Sequence, residues 1–146
     1  MENVKDLVSG LRSKDNASAY RCFVQLKMIS EASDTVYPYF DVFCEMLGDA
    51  NSYVRTRALA LIAANAKWDA DNKVDEIIDE YLKHTMDERP ITARQCIKSL
   101  PQIAKDKPDL VNCICEALHY ANPQIYPSSM QSLVQKDIQD ALSTIE

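Results

Sequence analysis

The chain has 146 residues, with 22 Asp or Glu against 16 Lys or Arg, giving a net charge of −6. That length fits one domain, and that charge, taken whole, disfavours binding to nucleic acid or to an anionic membrane. Hydrophobic residues at 47% support a sizeable core, while only two glycines argue against an all-β fold full of tight turns.

Residues 1–6 show no basic stretch leading into an apolar one. The longest apolar run, residues 58–66, is broken by Asn65 and is too short to span a bilayer. The expectation is a soluble cytoplasmic protein without membrane attachment. Five cysteines, Cys22, Cys44, Cys96, Cys113 and Cys115, fit free thiols in a reducing compartment. Cys113-x-Cys115 is not a zinc spacing, and no second pair or nearby histidine completes a site, so neither metal nor cofactor is expected.

Periodicity and punctuation predict helices over residues 2–13, 16–31, 34–48, 51–67, 70–85, 90–105, 108–120 and 128–145. Val4, Leu7, Val8 and Leu11 form the apolar stripe of the first. Gly48, taking the left-handed conformation, is expected to end the third. Asn51 or Ser52 caps the fourth. Val54, Ala58, Leu59, Leu61, Ile62, Ala63, Ala64 and Ala66 cover much of that helix, which marks it as buried among neighbours. Ile77, Ile78, Tyr81 and Leu82 form the stripe of the fifth. Pro90, Pro108 and Pro127 suit the first turns of the sixth, seventh and eighth. Pro101 is expected to kink or end the sixth. Val134, Ile138, Ala141, Leu142 and Ile145 carry the stripe of the eighth.

These helices fall into pairs. The first members end at Leu11, Leu47, Leu82 and Leu118, spaced 36, 35 and 36. The second members align at Arg21, Arg57 and Arg94, and Met130 takes that place in the fourth pair. Repeats of about 36 residues therefore run over 2–32, 34–68, 70–105 and 108–145, in one domain spanning 1–146. Single pairs could not bury their apolar faces, so stacking is what would make them stable.

At residues 47–59 the chain resembles the HEAT repeat: Asp49 in the turn, the Val54–Arg55 pair, Arg57 and then Ala58. A looser likeness is to small single-domain bacterial proteins of that type. The resemblance implies an all-α, right-handed α-α superhelix, a HEAT-like solenoid of four antiparallel helix pairs. It implies scaffolding and partner binding on a concave surface lined by the second helices. It also implies a ladder between repeats, with Asp15, Asp49 and Asp87 facing Arg21, Arg55 or Arg57, and Arg94.

The charge is divided by layer. Segments 17–31, 51–67 and 90–105 hold eight basic residues and one acid, Glu31. The first helices of the pairs hold thirteen acids and four basic residues. A basic layer in an acidic chain points to an anion-facing groove, and Arg21, Arg57, Asn65, Trp68, Arg94 and Lys98 are the candidate partner-binding residues. Two plainer readings stand beside this one: the arginines are consumed by the ladder, and Trp68 packs the turn that follows its helix.

The acids from Asp69 to Glu80 follow no calcium-loop spacing. His84 and His119, the only histidines, end first helices and have no nucleophile beside them. No phosphate loop or nucleophile elbow occurs. The leading expectation is a non-enzymatic module that binds an acidic protein or peptide. The alternative is a nucleic-acid-binding protein similar to HEAT-like DNA alkylation-repair glycosylases, with Trp68, Asp69 and Arg94 in the active roles. The chain's acidity and its single tryptophan weigh against that alternative.

Overall fold

The computed structural model describes residues 3–146. Among them lie eight α-helices and no strand: α1 Val4–Gly10, α2 Asn16–Ala32, α3 Phe40–Met46, α4 Ser52–Asn65, α5 Lys73–Leu82, α6 Pro90–Asp106, α7 Val111–Tyr120 and α8 Ser128–Ile145. No helix among the described residues is long and apolar enough to cross a membrane.

The second helix of each predicted pair forms close to its expected span, and the first is shorter. Short 3-10 turns account for the difference: Tyr37–Tyr39 leads into α3, Lys83–Met86 follows α5, and Pro108–Leu110 precedes α7. The expected start of the first helix at residue 2 lies outside the described residues. Side-chain caps explain several starts. Asn3 Oδ1 accepts from the Asp6 amide at 2.8 Å, Asp15 Oδ1 from Ala17 at 3.1 Å, and Asn51 Oδ1 from Tyr53 at 2.9 Å. Pro90 opens α6 as expected, whereas Pro127 sits just ahead of Ser128 rather than inside α8.

One local expectation fails, and another does not hold as an ending. Gly48 does not adopt a left-handed conformation; the one described residue with positive φ is Asn72, at 58°, immediately before α5. The end of α3 instead tightens, with the Leu47, Gly48 and Asp49 amides donating to carbonyls three residues back. Those bonds satisfy the free carbonyls without a left-handed residue. Pro101 does not end α6, which continues to Asp106. Ile103 and Ala104, one turn further on, are buried, and their packing offsets the single hydrogen bond that proline removes.

The long helices make a row: α2 packs on α4, α4 on α6 and α6 on α8, while α1 covers α2 and α3 covers α4. Side chains about one repeat apart meet across this row. Asn65 donates to Ser30 Oγ, Lys67 to the Glu31 carbonyl, and Thr56 and Thr92 share a hydroxyl bond, at separations of 35, 36 and 36 residues. These three bonds join positions separated by about the spacing seen in the sequence. α4 lies inside the row, and ten of its fourteen residues are buried. Gly10 permits α1 to press on α2, since a Cβ there would stand 2.5 Å from Cys22 Sγ.

Leu61 in α4 is fully buried. Leu61→Ala is expected to lower stability by about 2–5 kcal/mol, read as a shifted midpoint in urea denaturation.

Candidate functional site: a lysine-rimmed groove

The arginines of the basic layer are largely engaged in holding the structure. Arg55 lies almost fully buried and grips Asp87 with two bonds, Nε to Oδ2 at 3.0 Å and Nη2 to Oδ1 at 2.8 Å. Asp87 also bonds His84 Nδ1 at 2.8 Å and accepts the Arg89 amide at 2.9 Å. Burial works to raise the Asp87 carboxyl, but the bonds from His84 and Arg55 outweigh it and hold the group well below its ordinary range. The Asp87 carbonyl accepts the Tyr126 hydroxyl at 2.6 Å, and burial pushes that phenol up to about 12.

Arg94 pairs with Asp137 of α8, Nε to Oδ2 at 2.6 Å. The ladder thus forms in altered pairings. Asp49 faces Arg12, at 3.4 Å, and Asp15 caps α2 and accepts from Ser18. Asp137 was missed in the sequence because its partner lies 43 residues away. Its signal was an acid directly beside Val134 and Ile138 on the buried stripe of α8.

Several candidate binding residues prove to be interior. Arg57 is buried, donates to the Leu11 carbonyl at 3.2 Å, and has its charge disfavoured by burial. Asn65 is fully buried and bonds Ser30 Oγ and the Leu61 carbonyl, so it is not available to a ligand. Trp68 is half-buried, and its Nε1 donates to the Ser30 carbonyl at 2.7 Å, which is the packing role. Arg21 is exposed but away from the others, bonded to Ser18 at 3.2 Å. Of the six, only Lys98 lines the groove over α2, α4 and α6.

That groove, of about 370 Å³, crosses three successive long helices. α2 contributes Lys27 and Glu31 to one wall, and α6 contributes Gln95, Lys98 and Gln102 to the other. The floor is α4, with Ala60, Ala63 and Ala64, and Lys67 stands at its end. Lys67 Nζ donates to the Glu31 carbonyl at 2.6 Å and lies 5.3 Å above the Trp68 ring. Lys27 and Lys98 have no carboxylate within ion-pair distance among the described residues. Three ammonium groups therefore surround a methyl floor, with one carboxylate, Glu31, among them. Lys27 and Lys67 were visible in the sequence as part of the basic layer, but nothing local singled them out from the arginines.

The acidic segment after α4 is also structural. Asp69 accepts the Tyr37 hydroxyl at 2.5 Å, the Lys73 and Val74 amides, and Lys107 Nζ at 3.0 Å. Burial works to raise this carboxyl, and the Tyr37, Val74 and Lys107 bonds overcome it and leave it lowered. Asp69 thereby caps α5 and ties to it the turn ahead of α3 and the residue that follows α6. No cluster of three His, Cys, Asp or Glu among the described residues could hold a metal ion.

Fold and groove together define the class at hand: an all-helical chain presenting a cationic surface across three long helices. Compared with models of known protein families, with curated proteins and with solved structures, the chain matches none.

Asp87 supplies the test of this framework. A carboxyl lowered by folding contributes stability that is complete above its unfolded pKa of about 4 and is lost as pH falls toward the folded value. Asp87→Asn is expected to cost about 3–5 kcal/mol near pH 7, because it strands the buried Arg55. It is also expected to flatten the loss of stability below about pH 4. Urea denaturation from pH 7 to pH 2.5 checks both.

Proposed function

We propose that the chain is a HEAT-like α-solenoid of four stacked helix pairs. It acts as a non-enzymatic interaction module and takes an acidic protein or peptide segment into the groove over α2, α4 and α6. Support for the stacking is the set of side-chain bonds one repeat apart, in which ends meet ends (Lys67 with Glu31) and starts meet starts (Thr56 with Thr92). The long helices then run side by side in one direction, and the short ones return the chain between them.

The observation that carries the function is the placement of Lys27, Lys67 and Lys98 around one concavity in a chain whose net charge is −6. Cations gathered in a dent with an apolar floor focus a positive field outward, against the sign of the whole molecule. The arginines do not produce this field, since Arg55 and Arg94 are paired and Arg57 is buried. Lysines suit a surface that meets carboxylates in several geometries, because an ammonium on a flexible stem imposes no planar fork.

The double variant Lys27→Glu, Lys98→Glu alters two exposed side chains and is expected to leave the fold intact. Fluorescence anisotropy with a labelled glutamate-rich peptide is expected to show wild-type binding that weakens with salt. The variant is expected to bind at least about tenfold more weakly, or about 1.4 kcal/mol. Equal binding by the variant overturns the groove. Tighter binding to duplex DNA than to the peptide, falling steeply with salt, overturns the peptide reading in favour of nucleic acid.

A further inference from the structure

At the N-terminal end of α4 a second cleft, of about 430 Å³, opens among three segments of the chain. Arg12 and Lys14 line it from the turn between α1 and α2, and Arg89 lines it from the residue ahead of α6. Asn51, Ser52 and Tyr53 line it from the start of α4. No Asp or Glu among the described residues lines it, although the chain holds 22 of them. Arg12 lies 3.4 Å from Asp49 and is partly balanced by it. Lys14 and Arg89 are exposed, and neither side chain has a carboxylate within ion-pair distance among the described residues.

Exposed cations are ordinary on a protein surface. A buried cation without a counter-ion is not. Arg57 is only 7% exposed. Arg55 and Arg94 grip Asp87 and Asp137, whereas Arg57 has no carboxylate within ion-pair distance among the described residues. Its one side-chain hydrogen bond among them runs to the Leu11 carbonyl, and its guanidinium stands 5.9 Å from the centre of the Tyr53 ring. Both contacts adjoin the cleft, since Tyr53 lines it and Leu11 directly precedes Arg12. The cleft is therefore positive behind its wall as well as at its rim.

The start of α4 adds donors. Asn51 Oδ1 takes the Tyr53 amide, but the Ser52 amide and hydroxyl meet no acceptor among the described residues. The helix dipole places partial positive charge at the same end.

We propose that this cleft binds a phosphate monoester as its dianion, held between Lys14 and Arg89, with the Ser52 amide and hydroxyl donating to its oxygens. Lys14, Arg89 and Arg57 all lack a carboxylate, and a dianion offsets more of that charge than a carboxylate or a phosphodiester, each of which brings one charge. Its three terminal oxygens accept from both sides of the cleft and from Ser52 together. The volume leaves room for the carbon part of the ester. The site is separate from the lysine-rimmed groove, with which it shares no lining residue.

The test titrates the labelled full chain with methyl phosphate, dimethyl phosphate and a blocked phosphoserine peptide at constant ionic strength. At about pH 7.5 the monoesters are dianions, since their second pKa is about 6. Two-dimensional amide NMR is expected to show methyl phosphate shifting Ser52, Tyr53 and Arg89 to saturation. Dimethyl phosphate is expected to bind at least about tenfold more weakly. The double variant Lys14→Glu, Arg89→Glu alters two exposed side chains, is expected to keep the fold, and is expected to bind methyl phosphate at least about tenfold more weakly. Arg57→Gln keeps a donor for the Leu11 carbonyl, removes the charge and is expected to weaken binding as well. A peptide that binds more tightly than methyl phosphate assigns the site to a phosphorylated segment, and one that binds no more tightly assigns it to a free ester. Absence of a saturating shift at Ser52 and Arg89, or equal binding by the double variant, overturns the site. Equal binding of the diester overturns the dianion, and unchanged binding by Arg57→Gln overturns the role given to Arg57. Lys27, Lys67 and Lys98 stay in place throughout, so failure here leaves the groove reading standing.

Discussion

The Asp87 carboxylate is the joint on which the middle of the molecule turns. It receives a two-pronged bond from Arg55 in α4, a bond from His84 behind α5, and the Arg89 amide ahead of α6. Its own carbonyl receives Tyr126, ahead of α8. α4, the turn between α5 and α6 and the segment ahead of α8 therefore meet at one residue. Removing a carboxylate and a guanidinium from water costs several kcal/mol per ion, and good geometry with further hydrogen bonds is needed to recover it. Such a node fixes register more than it adds stability. A slip of one helical turn between α4 and α6 would leave both charges buried and unpaired, whereas apolar packing alone would tolerate it better.

The fixing of register divides the cations into two populations. Arginine, with its planar fork and permanent charge, fills the buried positions: Arg55 on Asp87, Arg94 on Asp137, and Arg57 on the Leu11 carbonyl. Lys27, Lys67 and Lys98 occupy the open side, whereas Lys107 is drawn in to Asp69. The basic layer seen in the sequence is real as a count, but it divides in two. Arg55, Arg57 and Arg94 are bonded to other segments of the chain, whereas Lys27 and Lys98 are exposed and carry no ion pair among the described residues.

The elements were more legible than the site. The long helices could be read because a buried stripe leaves a 3.6-residue period over many turns, as in α4 and α8. The short helices were overextended because 3-10 turns continue the apolar pattern without continuing the α-helix. The same cause sets Trp68 in its packing role. After Asn65 the chain winds as a 3-10 turn over Ala66–Trp68. Three residues then make a full turn, and the indole swings onto the Ser30 carbonyl. Asn65, a candidate for partner binding, is fully buried. Its burial depends on Ser30, 35 residues earlier, which already donates its hydroxyl to Leu26. Pairings over a repeat length leave no local trace, and Asp137 with Arg94 was hidden for the same reason.

α4 has an unusual load to carry, and its composition follows from it. It must sit inside the row of long helices, admit α2 and α6 closely on either side, and still present a surface to solvent. Large residues meet the first demand on the side of Leu59, Leu61 and Ile62, all fully buried. Alanine meets the other two at once, since it fills little space between helices and leaves a hollow where a neighbour is missing. The groove is thus a by-product of close stacking, and the lysines on its walls give it a sign. An apolar floor beneath exposed cations lowers the local polarisability and lets their fields reach further than they would over a hydrated surface. Two ammonium groups without an ion-pair partner among the described residues, Lys27 and Lys98, thus stand on facing walls of the groove, while acids are in excess over the whole chain.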